Sequence, residues 1–410
     1  MTELTIAPTK HQLTAINTAR KMLATKTGGR NSIMILSGFA GTGKTVSLNF
    51  IAKELGHIVI LAPTGRAALR VNTATGLDAS TIHRWLYKPI ENPNTGEMDF
   101  IRKDMSEITK PESGLLVIDE ASMIDNYIWE DLNEVTREMG CDVLLVGDPF
   151  QLPPVRDSSW SVFGSEFEFD YRVQLTEIMR QALDNPIIKA SMMVRKGDWV
   201  EAIGMLPSVQ DDELVSKAVS VVDKGGVVIC FSNKTRHLLN AKIRAAKGVT
   251  GELQPGESLL IRKNNYQVGI FNGELVKFEG WKYQTEAEYN VYDPWKKLEI
   301  PTRFGRTSLL NTDCIMAHSQ LEGKMDEFSL TPLEKRSKLY VRTKDPFIHA
   351  NYGYALTCHS AQGSEFDEVL VVLEDSLSFK KIESLRWLYT ALTRSKKHVS
   401  ISYKPDLDNL

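Results

Sequence analysis

The sequence has 410 residues, 42% hydrophobic and 25% charged. This is ordinary for a globular protein and leaves room for two or more domains, each with its own core. A net charge of −3 excludes a protein that coats nucleic acid by bulk electrostatics, so any such contact must come from local patches. Four cysteines (Cys141, Cys230, Cys314 and Cys358) stand far apart with no C-x-x-C pair, which argues against a disulfide framework and a zinc site. Cys141 and Cys230 flank apolar runs and are expected to be core thiols. Met1-Thr2-Glu3-Leu4 lacks a charged start followed by a long apolar run, and no apolar stretch is long enough to span a bilayer. No membrane partner and a reducing, cytoplasmic setting are expected.

The opening segment has helical periodicity, with Leu13, Ile16, Ala19, Met22 and Leu23 as its apolar face. Gln12 lies shortly before that face. A lone glutamine is normally a solvated surface residue, but its place ahead of the next motif makes it a candidate to read adenine. Ile33-Met34-Ile35-Leu36 then has the character of a buried parallel strand. It runs into Gly38-Phe39-Ala40-Gly41-Thr42-Gly43-Lys44-Thr45, the G-x-x-x-x-G-K-T phosphate loop. A helix with Val46, Phe50, Ile51 and Leu55 at helical spacing follows. Glycines at Gly38, Gly41 and Gly43 let backbone N–H groups, including that of Thr42, close around phosphates at a helix N-terminus. Lys44 is placed to reach the β- and γ-phosphates of ATP, and the Thr45 hydroxyl to ligate Mg²⁺.

The pattern of strand, turn and helix repeats. Ile58–Leu61 leads into Ala62-Pro63-Thr64-Gly65-Arg66-Ala67-Ala68, where Thr64 and a helix N-terminus are suited to a phosphate. Ala79-Ser80-Thr81-Ile82-His83-Arg84-Trp85 is expected on the same edge as the nucleotide loop. Residues 86–111 break the rhythm and read as an inserted β-hairpin with Phe100 near its tip, either a functional aromatic or part of a small satellite core. Leu115–Ile118 delivers Asp119-Glu120-Ala121-Ser122. Consecutive strand residues face opposite ways, so Asp119 is expected to hold Mg²⁺ while Glu120 acts as general base. Val143–Val146 leads to Gly147-Asp148-Pro149-Phe150-Gln151, with Gln151 placed to sense a γ-phosphate or a water. Leu175-Thr176-Glu177-Ile178-Met179-Arg180 supplies an arginine near the end of this half.

These stations, G-F-A-G-T-G-K-T, A-P-T-G-R-A-A, S-T-I-H, D-E-A-S, G-D-P-F-Q-L-P-P-V and L-T-E-I-M-R, resemble motifs I, Ia, Ib, II, III and IV of superfamily 1 helicases. They are most similar to the RecD/Dda-like branch, superfamily 1B. The second half continues the resemblance. Val227–Phe231 is a buried strand followed by Ser232-Asn233-Lys234. Residues 246–345 turn to alternating runs with Pro255-Gly256 and Asn272-Gly273 turns and the aromatics Tyr266, Trp281, Tyr283 and Trp295, with a charged, partly helical segment from Lys324 to Lys338. Tyr354–Asp367 and Trp387–Arg394 resemble motifs V and VI.

The resemblance implies an α/β chain of two RecA-like domains that face each other with ATP between them. A β-hairpin insertion is expected in the first domain and a small SH3-like β-barrel insertion in the second. The implied boundaries are 1–85 with 112–183 and 184–245 with 346–410 for the RecA-like domains, 86–111 for the hairpin and 246–345 for the barrel. It places Arg180 and Arg394 at the γ-phosphate and Gln362, Gly363 and Glu365 at the nucleotide. Thr64, Ser80, Thr81, His83, Phe100, Asn233, Thr357, His359 and Ser360 are placed on DNA. His83 and His359 have no partner at metal-ligand spacing and are expected to hydrogen-bond. The implied activity is ATP-dependent 5′–3′ translocation on single-stranded DNA with duplex unwinding, by a monomer that acts on single-stranded and forked DNA. Single-strand-binding protein or replisome components are candidate partners. A translocase that does not separate strands, and a P-loop enzyme of another class, stay open as alternatives.

Overall fold

In the computed structural model, the structure describes residues 7–25, 30–91, 98–154, 161–164, 167–178, 184–265, 267–293, 297–324, 338–403 and 405. By its contacts the chain falls into two units. The first comprises Met1–Lys88, Ile101–Met205 and Phe379–Thr393, and the second Pro89–Phe100, Leu206–Ser378 and Arg394–Leu410.

The first unit is built on a six-stranded sheet. In chain order its strands are β1 (Ile33–Gly38), β2 (Val59–Ala62), β3 (Ala79–Thr81), β6 (Leu115–Ile118), β7 (Asp142–Gly147) and β8 (Tyr171–Leu175). β4 (Tyr87–Glu91) and β5 (Met98–Arg102), of which Pro89–Phe100 is assigned to the second unit, form a separate two-stranded sheet. The large sheet has the order β3-β2-β6-β7-β1-β8, and every pairing in it is parallel. Side chains alternate across it, as the strand period requires. Met34, Leu36, Leu115, Val117, Leu144 and Val146 enter one core, and Ile35, Leu116, Ile118, Val143 and Leu145 the other. Helices α1 (Lys10–Ala24), α2 (Lys44–Leu55) and α3 (Gly65–Thr75) cover the first face. The short α4 (Ile82–Leu86) and α5 (Asn126–Met139) cover the second. Apolar strands covered on both faces explain why these runs read as near-continuous hydrophobic segments.

Two helix faces differ from the periodicity. In α1 Leu13 is 45% exposed and Gln12 is fully buried in its place. Thr9 and Gln12 form a capping box, Gln12 N–H to Thr9 Oγ1 and Thr9 N–H to Gln12 Oε1, which turns Gln12 inward. In α2 the buried face is Ser47, Leu48, Ile51 and Ala52, with Val46 and Phe50 only half-buried.

The second unit has its own parallel sheet, in the order Ala355–Thr357, Val227–Cys230, Phe366–Leu373 and Ser395–Tyr403. Between Ser258 and Tyr352 the strands pair antiparallel in three small sheets. Arg244, Glu257 and Tyr354 anchor this region. Arg244 Nε donates to Glu257 Oε1 at 2.7 Å and its Nη2 to Oε2 at 3.0 Å, while Tyr354 Oη donates to Oε1 at 3.0 Å. So complete a set of partners is what a buried ion pair needs to offset its desolvation. Tyr266, Trp295 and most of the Lys324–Lys338 segment lie outside the described residues. All four cysteines are buried thiols, and burial pushes those of Cys314 and Cys358 up to about 12. No helix among the described residues is long and apolar enough to cross a membrane.

Candidate nucleotide and strand site

In a parallel α/β sheet, ligands gather beyond the carboxyl ends of the strands. Every first-unit motif singled out in the sequence leaves the sheet at that edge: the phosphate loop after β1, Thr64 after β2, Ser80 and Thr81 on β3, Asp119 and Glu120 after β6, and Gln151 after β7.

Gly38 ends β1, and a Cβ there would stand 2.6 Å from Thr42 Oγ1 and 3.1 Å from Leu175 Cβ, so the loop closes tightly only over glycine. Gly43 caps α2 with φ 78°, a left-handed conformation that a side chain disfavours. Thr42 Oγ1 donates to Phe39 O at 2.8 Å. Lys44 Nζ lies along the loop, donating to Gly38 O at 2.8 Å and Phe39 O at 3.2 Å. Thr45 stands in the first turn of α2. Gln12 Nε2 donates to Gly43 O at 3.3 Å, so this residue braces the loop from α1.

The acidic pair departs from strand alternation. β6 stops at Ile118, and Glu120 adopts φ 52°, ψ 39° at the head of a short 3₁₀ turn. That left-handed backbone is unfavourable for an L-residue by about 1–2 kcal/mol. It brings both carboxylates to one cation: Arg70 Nη2 lies 3.1 Å from Asp119 Oδ2 and 2.7 Å from Glu120 Oε1. Both acids are almost fully buried. Burial raises the Asp119 pKa, opposed by Arg70 and reinforced by Glu120. Asp119 Oδ1 is buried with no hydrogen-bond partner among the described residues. An orphaned carboxylate oxygen beside a phosphate loop fits Mg²⁺, which takes one or two protein ligands and completes its shell with phosphate oxygens and water. The sequence reading missed Arg70, because on a helix surface it looks like a solvated charge.

Asp148 and Tyr389 were also missed. Asp148 is fully buried, and burial raises its pKa although Lys44 opposes the shift. The Tyr389 hydroxyl accepts from Ala40 N–H at 2.9 Å and donates to Asp148 Oδ2. Leu152 N–H donates to Thr390 Oγ1 at 3.1 Å. Tyr389 and Thr390 thus tie the helix Ile382–Leu392 to the loops after β1 and β7. Gln151 is buried, with Oε1 lacking a partner among the described residues, as suits a group that senses a water or a phosphate oxygen. Arg180 lies outside the described residues.

Thr64 caps α3, accepting from Ala67 N–H at 3.2 Å. Ser80 and Thr81 lie beside Leu61 and Ala62 in register, and Thr81 caps α4, on which His83 follows. These four are together at one end of the sheet. Phe100 is on β5 and 39% exposed; the hairpin turn at 92–97 lies outside the described residues.

In the second unit the structure gathers a second set. Arg394 is almost fully buried; its Nη1 donates to Ser364 O at 3.3 Å, and its carbonyl accepts from Phe366 N–H at 2.8 Å. The loop holding Gln362, Gly363 and Glu365 is therefore packed on Arg394, with Gly363 at φ 72°. Thr357 caps the single turn Cys358–Ala361, its Oγ1 2.9 Å from Ser360 Oγ, which also accepts from Arg262 Nη1 at 3.0 Å. Burial lowers the His359 pKa, which favours a neutral, hydrogen-bonding ring. Asn233 opens the helix Asn233–Ala246, capped by Ser232.

A parallel sheet whose carboxyl edge carries a phosphate loop, a lysine and a buried acidic pair defines a P-loop nucleoside triphosphatase. Comparison with known proteins narrows the class. An AAA domain family model matches residues 16–211, and a UvrD-like helicase C-terminal domain model matches 352–402. The ATP-dependent DNA helicase Dda of enterobacteria phage T4 is 30% identical over 68% of this chain and 68% of its own length. The ATP-dependent RecD2 DNA helicase of Deinococcus radiodurans is 28% identical over 89% of this chain. The chain spans 46% of the RecD2 length, and 37% of an uncharacterized Methanocaldococcus jannaschii relative that is 25% identical over 93% of this chain. A Bacteroides Pif1 helicase structure superposes with a TM-score of 0.56 at 18% identity, covering 97% of this chain and 92% of that one, which shows the shared RecA-like α/β fold. The chain belongs to the RecD/Dda-like helicases of superfamily 1B.

Proposed function

We propose that this protein is an ATP-driven DNA helicase that moves 5′–3′ along single-stranded DNA and opens duplex at forks. The observation that carries this is the second parallel α/β unit. It holds no G-x-x-x-x-G-K-[ST] loop of its own, yet buries Arg394 against a loop of motif residues. A small-molecule kinase has no use for such a unit, whereas a motor needs a second body to move.

In the reaction, Lys44 and the loop N–H groups hold the phosphates and Gln12 braces the loop on the adenine side. Thr45 and Asp119 would hold Mg²⁺, which when bound would offset the negative charge of the phosphates. Glu120 takes a proton from water, the water oxygen bonds to the γ-phosphorus, and ADP leaves with the bridging oxygen and its electron pair. Gln151 orients that water. Arg180 and Arg394 stabilise the charge of the transferring group, and Gln362, Gly363 and Glu365 line the nucleotide. Thr64, Ser80, Thr81, His83, Asn233, Thr357, His359 and Ser360 hold the strand backbone.

The domain reading follows the resemblance. Residues 1–85 with 112–183 and 184–245 with 346–410 form the RecA-like domains. Residues 86–111 form a pin and 246–345 an SH3-like subdomain. A monomer acting in the cytoplasm on single-stranded and forked DNA, with single-strand-binding protein as a candidate partner, completes the proposal.

ATP hydrolysis with and without a single-stranded oligonucleotide tests it. The rate is expected to rise with the strand, and strand affinity to fall with salt at a slope of about −0.7 per phosphate neutralised. A rate indifferent to the strand would assign the chain to another kind of P-loop enzyme. The pin is tested separately. An exposed aromatic stacks on a base for about 1–3 kcal/mol, comparable with the roughly 1.4 kcal/mol of one base-pair step. Phe100→Ala should therefore reduce unwinding more than strand-stimulated hydrolysis; equal loss of both would make Phe100 a packing residue.

A further inference from the structure

Arg70 occupies an unusual position. A single nitrogen of its guanidinium holds Asp119 Oδ2 and Glu120 Oε1, the two acids that the reaction needs for metal binding and proton abstraction. The phosphate-loop lysine does not serve them, since Lys44 Nζ is spent on Gly38 O and Phe39 O. Arg70 projects from α3, and Thr64 caps the start of α3. The two are six positions apart, about 9 Å along a helix. The helix is also pinned to β3: Asn72 Oδ1 accepts from Ala79 N–H at 2.7 Å and Asn72 Nδ2 donates to Ala79 O at 3.4 Å. Ser80 and Thr81 follow Ala79 directly. One rigid piece, α3 with β3, therefore carries three of the strand-contact residues at its end and the cation of the acidic pair at its middle.

We propose that Arg70 couples strand binding to hydrolysis, an inference that rests on the strand-stimulated motor reading above. In the position of α3 that the structure shows, Arg70 holds the Glu120 carboxylate by Oε1, and its positive charge opposes the transfer of a proton from water to that carboxylate. A strand gripped at Thr64, Ser80 and Thr81 shifts α3, and a displacement of about 1 Å takes the 2.7 Å contact beyond hydrogen-bonding range. Glu120 then accepts the proton of the water. The strand acts by favouring one of two positions of α3, which is the two-state element that such coupling requires.

The test compares the wild type with Arg70→Met, which keeps the apolar stem, and with Asn72→Ala, which cuts the tie between α3 and β3. Measured quantities are ATP hydrolysis with and without an oligo-dT strand, and the affinity for a fluorescently labelled oligo-dT. For Arg70→Met the strand-free rate should rise about tenfold and the stimulation ratio should fall by the same factor, with strand affinity within about threefold of wild type. For Asn72→Ala the strand-free rate should hold while the stimulation ratio falls severalfold. If both rates of Arg70→Met fall in equal proportion, or Asn72→Ala is stimulated like the wild type, the coupling is overturned. A wild type that no strand stimulates would instead sink the motor reading itself, so the two failures are distinguishable.

Discussion

Replacing Arg394 with alanine is expected to lower ATP turnover about 10³–10⁵-fold, the range that an arginine on a transferring phosphoryl group supplies. The guanidinium is almost fully buried, and its Nη1 donates to Ser364 O. A planar, always-charged fork is what spread oxygen charge calls for, so Arg394→Lys should restore little. Strand affinity, read by anisotropy of a labelled oligonucleotide, should stay within about threefold, because Thr357, His359 and Ser360, which are proposed to hold the strand, cap or lie on a separate turn. Removing a buried donor leaves the Ser364 carbonyl short of a partner, at a cost of about 1–3 kcal/mol, so the melting temperature is to be recorded alongside. A variant that kept hydrolysis and lost the strand would make Arg394 a DNA contact.

Glu120→Gln should lower turnover about 10²–10⁴-fold, the usual contribution of a positioned general base, while ATP still binds. The amide matches the carboxylate in shape and can occupy the same left-handed turn. Lys44, Thr45 and Asp119, which are proposed to bind the nucleotide and Mg²⁺, are untouched. A fluorescent ATP analogue followed by titration should show affinity within severalfold of the wild type, with hydrolysis nearly absent in single-turnover mixing. Near-normal turnover would remove Glu120 from the role of base and leave the water to Gln151 or another acceptor.

The nucleotide edge was legible because its signals are local. An apolar run followed by a glycine loop, or by two acids, places a residue at a strand end whatever the remainder of the chain does. Contacts distant in sequence were not legible. Nothing near Arg70 marks it as the partner of residues 49 and 50 positions away, and Tyr389 reaches Asp148 across 241 positions. The convergence of Asp119 and Glu120 was misread because strand alternation was extended two residues past the end of β6, to Glu120, which turns left-handed. The burial of Gln12 could have been found, since Thr9-Lys10-His11-Gln12 is a T-x-x-Q capping box. Its weight was outvoted by Leu13, whose apolar character suggested the buried face. Arg262, which reaches Ser360 from the antiparallel region, carried no sequence signal.

Strand separation is the most direct readout of a motor that opens DNA. A duplex labelled with a fluorophore and quencher, carrying a 5′ single-stranded tail, should be opened in the presence of ATP and Mg²⁺ and stay closed with ADP, while a duplex with only a 3′ tail should stay closed under both conditions. Opening of the 3′-tailed duplex alone would contradict the 5′–3′ polarity, and failure to open either substrate by protein whose hydrolysis the strand stimulates would contradict helicase action itself.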